Sequence, residues 1–414
     1  MKRMPTPIKI AIPVAALALF AATHTSAQVF SDTLLLNMRN SIYDVRNENE
    51  NLKSRLDVQS RALNDISKTQ NLTDKTKWEK IRVNVVKGVE TYKILSDDLI
   101  DLKSQVINQD YQGFIKRLSS VKDGPLGFSF DQVIMKIAQS KAIFDSKPKN
   151  ERFMNTLKAL SGSPLVALIP FASQAVTLSS SALNVAYAAG MQDKKVRFEK
   201  IKEFENELNR YIAYYTTLDR ANIINTTSST QTVAQLETLQ LDLLDKFKKD
   251  AYKLGYVPRT QRPDESLDDY FNHMTSEFAG DYARKHIGDI EAKYTRPGSE
   301  KVNLGELLQT ELNIRTVNNN LDYVQDLVNR FVGIHDAYFD METKYFEQIK
   351  NAVNVAKGNG IIQQVGEKPA NMVYEDLIRE LNQKKGKKDQ AIKSSINIKE
   401  LKERMDAVDV YKIL

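Results

Sequence analysis

The feature that most constrains the fold of this chain is a repeat of apolar side chains at alternating steps of three and four residues. The first stretch with this spacing runs through Leu35, Met38, Ile42, Val45, Asn49, Leu52, Leu56, Gln59, Leu63 and Ile66. These steps place all of the positions on one stripe of an α-helix, which is the pattern of coiled-coil helices. Asn49 and Gln59 are the polar members, and a polar core position usually fixes the register of helix pairing.

Three further stretches repeat the spacing, and each predicts a long helix. A helix at 75–109, capped by Thr73 or Asp74, has the stripe Trp78, Ile81, Val85, Gly88, Tyr92, Leu95, Leu99, Leu102 and Val106. A helix at 194–222 has the stripe Ile201, Phe204, Leu208, Tyr211, Tyr215 and Leu218. A helix at 304–355 has the stripe Ile314, Val317, Leu321, Val324, Val328, Phe331, His335 and Tyr338. The predicted fold class is therefore all-α, an elongated helical bundle with long heptad-packed (coiled-coil) helices.

Helix breakers divide the rest of the chain. We predict shorter helices at 130–145 and 153–160, a Ser/Thr-rich loop at 225–230 and a helix at 233–254. The resulting domain organisation is a signal peptide at 1–27, a long-helix bundle at 28–258, a linker with short helices at 259–303, a long helix at 304–357, and a charged C-terminal helical region at 358–414.

The first 27 residues have the order of a cleavable export signal. Lys2, Arg3 and Lys9 precede a short apolar run, and small residues end it at Ser26 and Ala27. The run is shorter than the roughly 20 apolar residues of a membrane-spanning helix, although an uncleaved anchor is the alternative. The sequence predicts a bacterial protein that is periplasmic, on the cell surface or secreted.

Charge and cysteine content exclude several classes of function. Of 59 Lys and Arg residues, three lie in the signal segment, which leaves 56 against 53 Asp and Glu. So small an excess does not predict a nucleic-acid partner, which needs a concentrated basic face. The basic cluster at 384–388 is explained equally well by a solvated linker or by a surface for an anionic partner. The chain has no cysteine, so thiol catalysis and thiolate metal sites are excluded.

The segment 159–192 has no charged side chain, in a chain of which 27% of residues are charged. Pro164 and Pro170 bracket its most apolar part, and Ser179 to Ser181 suggest the tip of a hairpin. The membrane-insertion candidates are its large apolar residues, Leu165, Val166, Leu168, Ile169, Phe171, Val176, Leu178, Leu183 and Val185. Ala182, Ala186 and Gly190, four residues apart, are candidates for close helix contact.

Two interpretations of this segment stay open. It is either a helical hairpin that the surrounding bundle buries, or an element that enters a lipid bilayer when conditions expose it. A permanent membrane anchor is a third interpretation, which Pro170 and the many Ser, Thr and Asn side chains disfavour.

Long heptad helices, an interrupting uncharged Gly/Ala/Ser-rich hairpin and the charged helix start at 193–200 together resemble the α-helical pore-forming toxins of the hemolysin E type. The resemblance is architectural and covers roughly residues 30–222. It implies an apolar element that is covered in the soluble form and inserts into a membrane on assembly.

Recognisable catalytic and metal-binding patterns are missing from the sequence. His273, His286 and His335 have no partner at metal-binding helical spacing, and no nucleophile-elbow or phosphate-loop motif occurs. The glycines at 358–366 are interpreted as a helix terminator, and His335 as a packed core histidine. We therefore expect no cofactor, no metal and no enzymatic activity, although a site assembled from distant residues would be invisible in a sequence.

The predicted function is that of an exported helical protein that assembles through coiled-coil faces, with itself or with protein partners, and engages membrane lipid through residues 164–190. The alternative is a periplasmic or cell-surface scaffold that binds proteins and uses the apolar segment only as bundle core.

Overall fold

A computed structural model of the chain describes residues 73–108, 112–120, 124, 126–141, 147–161, 171–192, 198–298 and 301–406. Within these residues the fold is an all-α bundle, which confirms the predicted class. The helices are α1 (Asp74–Ile107), α2 (Gln112–Ser119), α3 (Phe130–Lys141), α4 (Lys147–Ser161), α5 (Phe171–Gln192), α6 (Phe198–Lys253), α7 (Leu267–Glu277), α8 (Ala283–Lys293), α9 (Leu304–Thr310), α10 (Leu312–Asn319), α11 (Leu321–Gly358), α12 (Ala370–Ser395) and α13 (Ile398–Asp406). A π-helical segment, Phe278–Tyr282, joins α7 to α8.

The predicted stripe of α1 is buried along its whole length, from Trp78 to Val106. Thr73 caps the helix, and its hydroxyl accepts a hydrogen bond from the Thr76 N–H at 3.4 Å. One-sided burial of this kind supports a bundle, whereas coiled-coil packing in the strict sense stays a prediction. The signal segment and the first heptad stretch, from Leu35 to Ile66, lie outside the described residues.

The predicted loop at 225–230 is wrong, because α6 is continuous from Phe198 to Lys253. Asn225 is buried, and the Thr230 hydroxyl donates to the Thr226 carbonyl within the same helix. Ser and Thr disfavour helices when their side chains compete for the backbone, but tertiary packing overrides this weak preference here. At 1.5 Å per residue, a helix of 56 residues is about 84 Å long.

Two other predicted boundaries are wrong. The single helix predicted at 304–355 is divided into α9, α10 and α11, with non-helical backbone at Glu311 and Asn320. Asn320 ends a run of three asparagines, whose side chains compete for backbone hydrogen bonds. The helix predicted at 153–160 begins earlier, at Lys147, and Pro148 lies in its first turn, where the missing N–H leaves no bond unmade.

The two longest helices, α6 and α11, run antiparallel along each other. Cross-contacts fix this direction: Arg330 donates to Asp242 at 2.8 Å, Tyr345 donates to Asn222 at 3.2 Å, and Arg210 donates to the Asn359 carbonyl at 2.9 Å. As the residue number rises in one helix, it falls in the other. Both helices also extend through two separate clusters of buried side chains.

The first cluster, called here the α1 core, contains α1, α7 to α10, α13, the second half of α6, the first half of α11 and the end of α12. The second cluster, called the α5 core, contains α2 to α5, the first half of α6, the second half of α11 and the start of α12. Helix α5, which is part of the uncharged segment, therefore belongs to one core, while the predicted α1 stripe belongs to the other.

Candidate functional site

Helix α5 is the described part of the uncharged segment, and it is the one helix within the described residues that has no charged side chain. The hairpin tip predicted at Ser179 to Ser181 is wrong, because α5 is one continuous helix from Phe171 to Gln192. Its sequence is rich in Ala, Leu and Ser, and Pro170 immediately precedes its first residue. Proline disfavours helical backbone in the residue before it, so the sequence itself defines where α5 can begin.

One face of α5 packs mainly against α6 and α4. Ala175, Leu178, Ser179, Ala182 and Ala186 are buried on this face at steps of three and four residues. Four of these five side chains are small, which lets the helix backbones approach closely. The Ser179 hydroxyl donates to the Ala175 carbonyl at 2.7 Å, so its burial leaves no unpaired donor.

The opposite face of α5 is exposed and polar but uncharged. Ser180, Asn184 and Ala188 are exposed, and Tyr187 is 38% exposed. The Tyr187 hydroxyl donates to a Glu205 carboxylate oxygen of α6 at 2.6 Å. This hydrogen bond joins α5 to α6 at the surface of the protein.

The predicted membrane-insertion candidates fall into three groups. Leu178 is buried in the α5 core, and Leu183 and Val185 pack against that core partly buried. Phe171 and Val176 belong to α5, but their side-chain surroundings lie outside the described residues, as do those of Gly190. The third group lies outside the described residues and consists of Leu165, Val166, Leu168 and Ile169. Of the helix-contact candidates, Ala182 and Ala186 are completely buried.

None of the described helices combines the length and the apolar character that a membrane crossing requires. Helix α5 has enough residues, but Ser, Thr, Gln and Asn side chains interrupt its apolar surface.

The three histidines of the described chain lie apart from one another in different chemical surroundings. His273 lies 3.0 Å from Glu277, and His335 lies 3.0 Å from Asp336. His286 stacks on the Tyr282 ring at 6.1 Å, and partial burial lowers its pKa. Within the described residues, no three acidic, His or Cys side chains are placed to hold a metal ion together.

A shallow cleft of about 510 Å³ lies between the loop before α3 and the loop after α11. Gln132, Gln363 and Gln364 give it a polar lining, and Lys136 is the charged residue among those that line it. Of the predicted terminator glycines, Gly366 lines the cleft, and Gly360, with a φ of 61°, follows the end of α11. The Ser129 hydroxyl, also in the lining, donates to the Asp131 carboxylate.

Asp250 and Lys388 are among the buried charged groups that the sequence did not indicate. Asp250 is fully buried in the α1 core, where it accepts hydrogen bonds from Tyr92 at 2.7 Å and Lys246 at 3.0 Å. Burial and the nearby Asp250 charge raise the pKa of Tyr92 well above its ordinary value. Lys388, from the basic cluster expected to form a linker or an anion-binding surface, is buried in α12 and binds the carbonyls of Gln105 and Asn108.

Comparison with known proteins gives no relative: no family model, no curated protein and no solved structure matches this chain.

Proposed function

We propose that this chain is an exported, non-catalytic helical protein that engages lipid bilayers by releasing the uncharged segment 159–192 from its bundle. The observation that carries the proposal is the packing of α5, the described part of that segment. Most of the buried side chains that attach α5 to the bundle are small, with Leu178 as the large one, and no charged group lies on any of its faces.

The energetics of transfer favour this helix over the others. A Lys, Arg or Asp side chain at the centre of a bilayer opposes insertion by roughly 2.5 to 3.5 kcal/mol, and α5 carries none. Burial of apolar area contributes about 25 cal/mol per Å², so Ala175, Ala182 and Ala186 hold the helix less strongly than Leu or Phe would. The apolar patch that precedes α5 in the sequence would add its own transfer energy in lipid.

The proposal also includes export from the cytoplasm and assembly through helix pairing. The basic, apolar and small-residue order of the first 27 residues supports an address outside the cytoplasm. The heptad stretch from Leu35 to Ile66 supports pairing with a second copy or with a partner helix. Pore formation, as the resemblance to the hemolysin E type implies, would be the strongest form of membrane engagement.

A second candidate function is a protein-binding scaffold in which α5 never leaves the bundle. The complete burial of Ala182 and Ala186, together with the buried Leu178, favours this candidate. The two candidates differ in whether α5 must move, and that difference can be tested directly.

The test uses the absence of native cysteines. In the variant Tyr187→Cys/Glu205→Cys, a short bis-maleimide links α5 to α6 at a contact that joins the two side chains in the native protein. We expect the unlinked protein to float with phosphatidylcholine–phosphatidylglycerol vesicles and the cross-linked protein to lose most of this binding. Dye release from the same vesicles reports whether a pore forms.

The matched control is Tyr374→Cys/Asn354→Cys, which links α12 to α11 at another tyrosine contact, 2.9 Å long in the native protein. This cross-link should leave vesicle binding unchanged. Equal binding by both cross-linked proteins, or no binding by the unlinked protein, would contradict the membrane proposal and favour the scaffold.

A further inference from the structure

A buried carboxyl group lies on α1, the helix against which α13 packs. Asp98 of α1 is only 7% exposed, and its Oδ2 atom is buried with no hydrogen-bond partner. Such a carboxylate is disfavoured in its charged form, because the buried oxygen loses hydration that nothing replaces. The position therefore favours a protonated side chain.

Neighbouring acidic groups strengthen that preference. Asp97 and Asp101 lie beside Asp98 on α1, and Glu400 belongs to α13, whose Arg404 lies 3.7 Å from Glu90 of α1. Burial first, and then these three negative charges, raise the pKa of Asp98 to about 7.

Two basic groups pair with members of this cluster and offset part of their negative charge, so burial is the main cause that favours the protonated form of Asp98. Lys93 pairs with Asp97, and Arg404 of α13 pairs with Glu400 at 2.9 Å and with Glu90 at 3.7 Å. The helices packed on α1 carry further charged groups. These are Glu237 of α6, Asp268 of α7, Arg284 of α8, Glu342 of α11, Lys388 and Lys393 of α12, and the exposed Lys399 and Lys402 of α13. Asp268 binds Lys103 at 3.2 Å, Arg284 binds Glu90, and Lys388 binds backbone carbonyls.

Helix α13 is a weakly attached element. It has nine residues, and Leu401 and Met405 are its buried side chains. Its first turn is closed by its own cap, since Asn397 accepts from the Glu400 N–H at 3.1 Å, so that N–H is not available to Asp98. The ion pair between the two helices, Arg404 with Glu90, lies at the surface, where such pairs contribute only about 0–1 kcal/mol. A short element of this kind opens at low free energy compared with the whole fold.

We propose that Asp98 and Glu400 form a proton-dependent latch, in which α13 stays docked on α1 while Asp98 is protonated and loosens when Asp98 loses its proton. When α13 opens, water reaches Asp98 and Glu400 moves away, so the carboxylate is better tolerated in the open form. The latch acts in the α1 core and is independent of membrane engagement by α5.

The direction of the pH effect follows from linkage. The docked form holds the proton more tightly than the open form, in which an Asp has its ordinary pKa of about 4. Docking is therefore strongest below about pH 4 and weakens as the pH rises toward 7, by up to about tenfold per pH unit. Above about pH 7 both forms are ionised and no further weakening is expected from this group.

Hydrogen exchange of the full-length chain between pH 5 and 8.5 tests the latch, with rates converted to protection factors so that intrinsic exchange is removed. The α13 amides should lose at least tenfold in protection between pH 5 and 7 and little beyond. In Asp98→Asn, an isosteric change, this dependence should disappear, and in Glu400→Gln it should weaken.

The matched control is Asp245→Asn, an exposed acid paired with Lys249 on α6, which should keep the wild-type profile. The latch is overturned if Asp98→Asn retains the full pH dependence. It is also overturned if amides throughout the α1 core lose protection together with α13, since Asp98 would then set global stability and not the docking of one helix.

Discussion

At the scale of single residues, Lys388 shows how a charged side chain becomes part of the core. Its ammonium group binds the carbonyls of Gln105 and Asn108 at the C-terminal end of α1 and lies 5.9 Å from the centre of the Tyr338 ring. Helix C-termini leave their last carbonyls without helical partners, and cations there also favour the helix dipole. Lys388 therefore joins α12 to the end of α1 through backbone atoms.

The change Lys388→Met tests this role, because it keeps the apolar stem and removes the ammonium group. We expect the free energy of unfolding to fall by about 1–3 kcal/mol, the usual effect of leaving buried polar groups unpaired. Urea denaturation measures the loss. Lys387→Met, at an exposed neighbouring position, should change the free energy of unfolding by less than about 0.5 kcal/mol. Equal effects of the two changes would show that Lys388 does not cap the C-terminal end of α1.

The sequence could not have indicated this cap. Lys384 to Lys388 appear as a run of like charges in a single sequence, and nothing in the spacing distinguishes the buried member from the exposed ones. The same holds for Asp98, since the pair Asp97–Asp98 looks like a solvated helix face. Burial of these residues depends on helices distant in sequence, so charge patterning alone cannot predict it.

At the scale of elements, apolar periodicity predicted helices well and their ends poorly. The α1 stripe and its Thr73 cap came directly from the spacing, because one helix face must leave water. Helix ends depend on smaller energies, and α6 continues through residues 225–230 despite their weak local preferences against helix, with Asn225 buried. Of the small buried residues of α5, Ala182 and Ala186 were predicted from their four-residue spacing with Gly190, whereas Ser179 was assigned to a hairpin tip and Ala175 lay outside that spacing.

Where an end has a specific geometry, the glycine that forms it can be tested. Gly255, with a φ of 75°, ends α6: its N–H donates to the Tyr252 carbonyl at 3.1 Å, and the Tyr256 N–H donates to the Ala251 carbonyl at 2.9 Å. This is the Schellman arrangement, which favours glycine at the left-handed position. A Cβ atom at Gly255 would also lie 3.3 Å from Cε1 of His286.

Gly255→Ala should therefore destabilise the protein by about 2 kcal/mol or more, of which about 1–2 kcal/mol is the left-handed backbone itself. Gly366→Ala is the matched control, because Gly366 also has a positive φ, of 59°, but has open space around its Cβ position. Thermal unfolding should show the smaller loss for Gly366→Ala. If the two losses are the same, the contact with His286 contributes nothing.

At the scale of the whole molecule, α6, α11 and α12 connect two cores that are otherwise built from different helices. Either core could unfold alone only if these three helices broke between the cores, which would expose their backbone groups and separate contacts such as Tyr345 with Asn222. Helix formation is cooperative, so a break inside a long helix is unfavourable. The described bundle should for this reason unfold as one unit.

Two substitutions on α6 test this cooperativity, because Leu208 lies in the α5 core, Leu243 lies in the α1 core, and both are fully buried. Each change to Ala should cost about 2–5 kcal/mol through lost burial and cavity formation. The only tryptophan of the chain, Trp78, is buried in the α1 core and donates to Glu291 at 2.7 Å, so its fluorescence reports that core alone. Far-UV circular dichroism reports the helices of both cores.

With one cooperative unit, Leu208→Ala shifts the urea midpoint of Trp78 fluorescence as far as that of circular dichroism, although the substitution lies in the other core. Leu243→Ala gives the same coincidence, and neither variant shows a second transition. Independent cores would give a different result, in which Leu208→Ala produces an early partial loss of helix while the Trp78 signal keeps its wild-type midpoint. That result would mean that α6 can break between the cores, and the α5 core could then open while the α1 core stays folded.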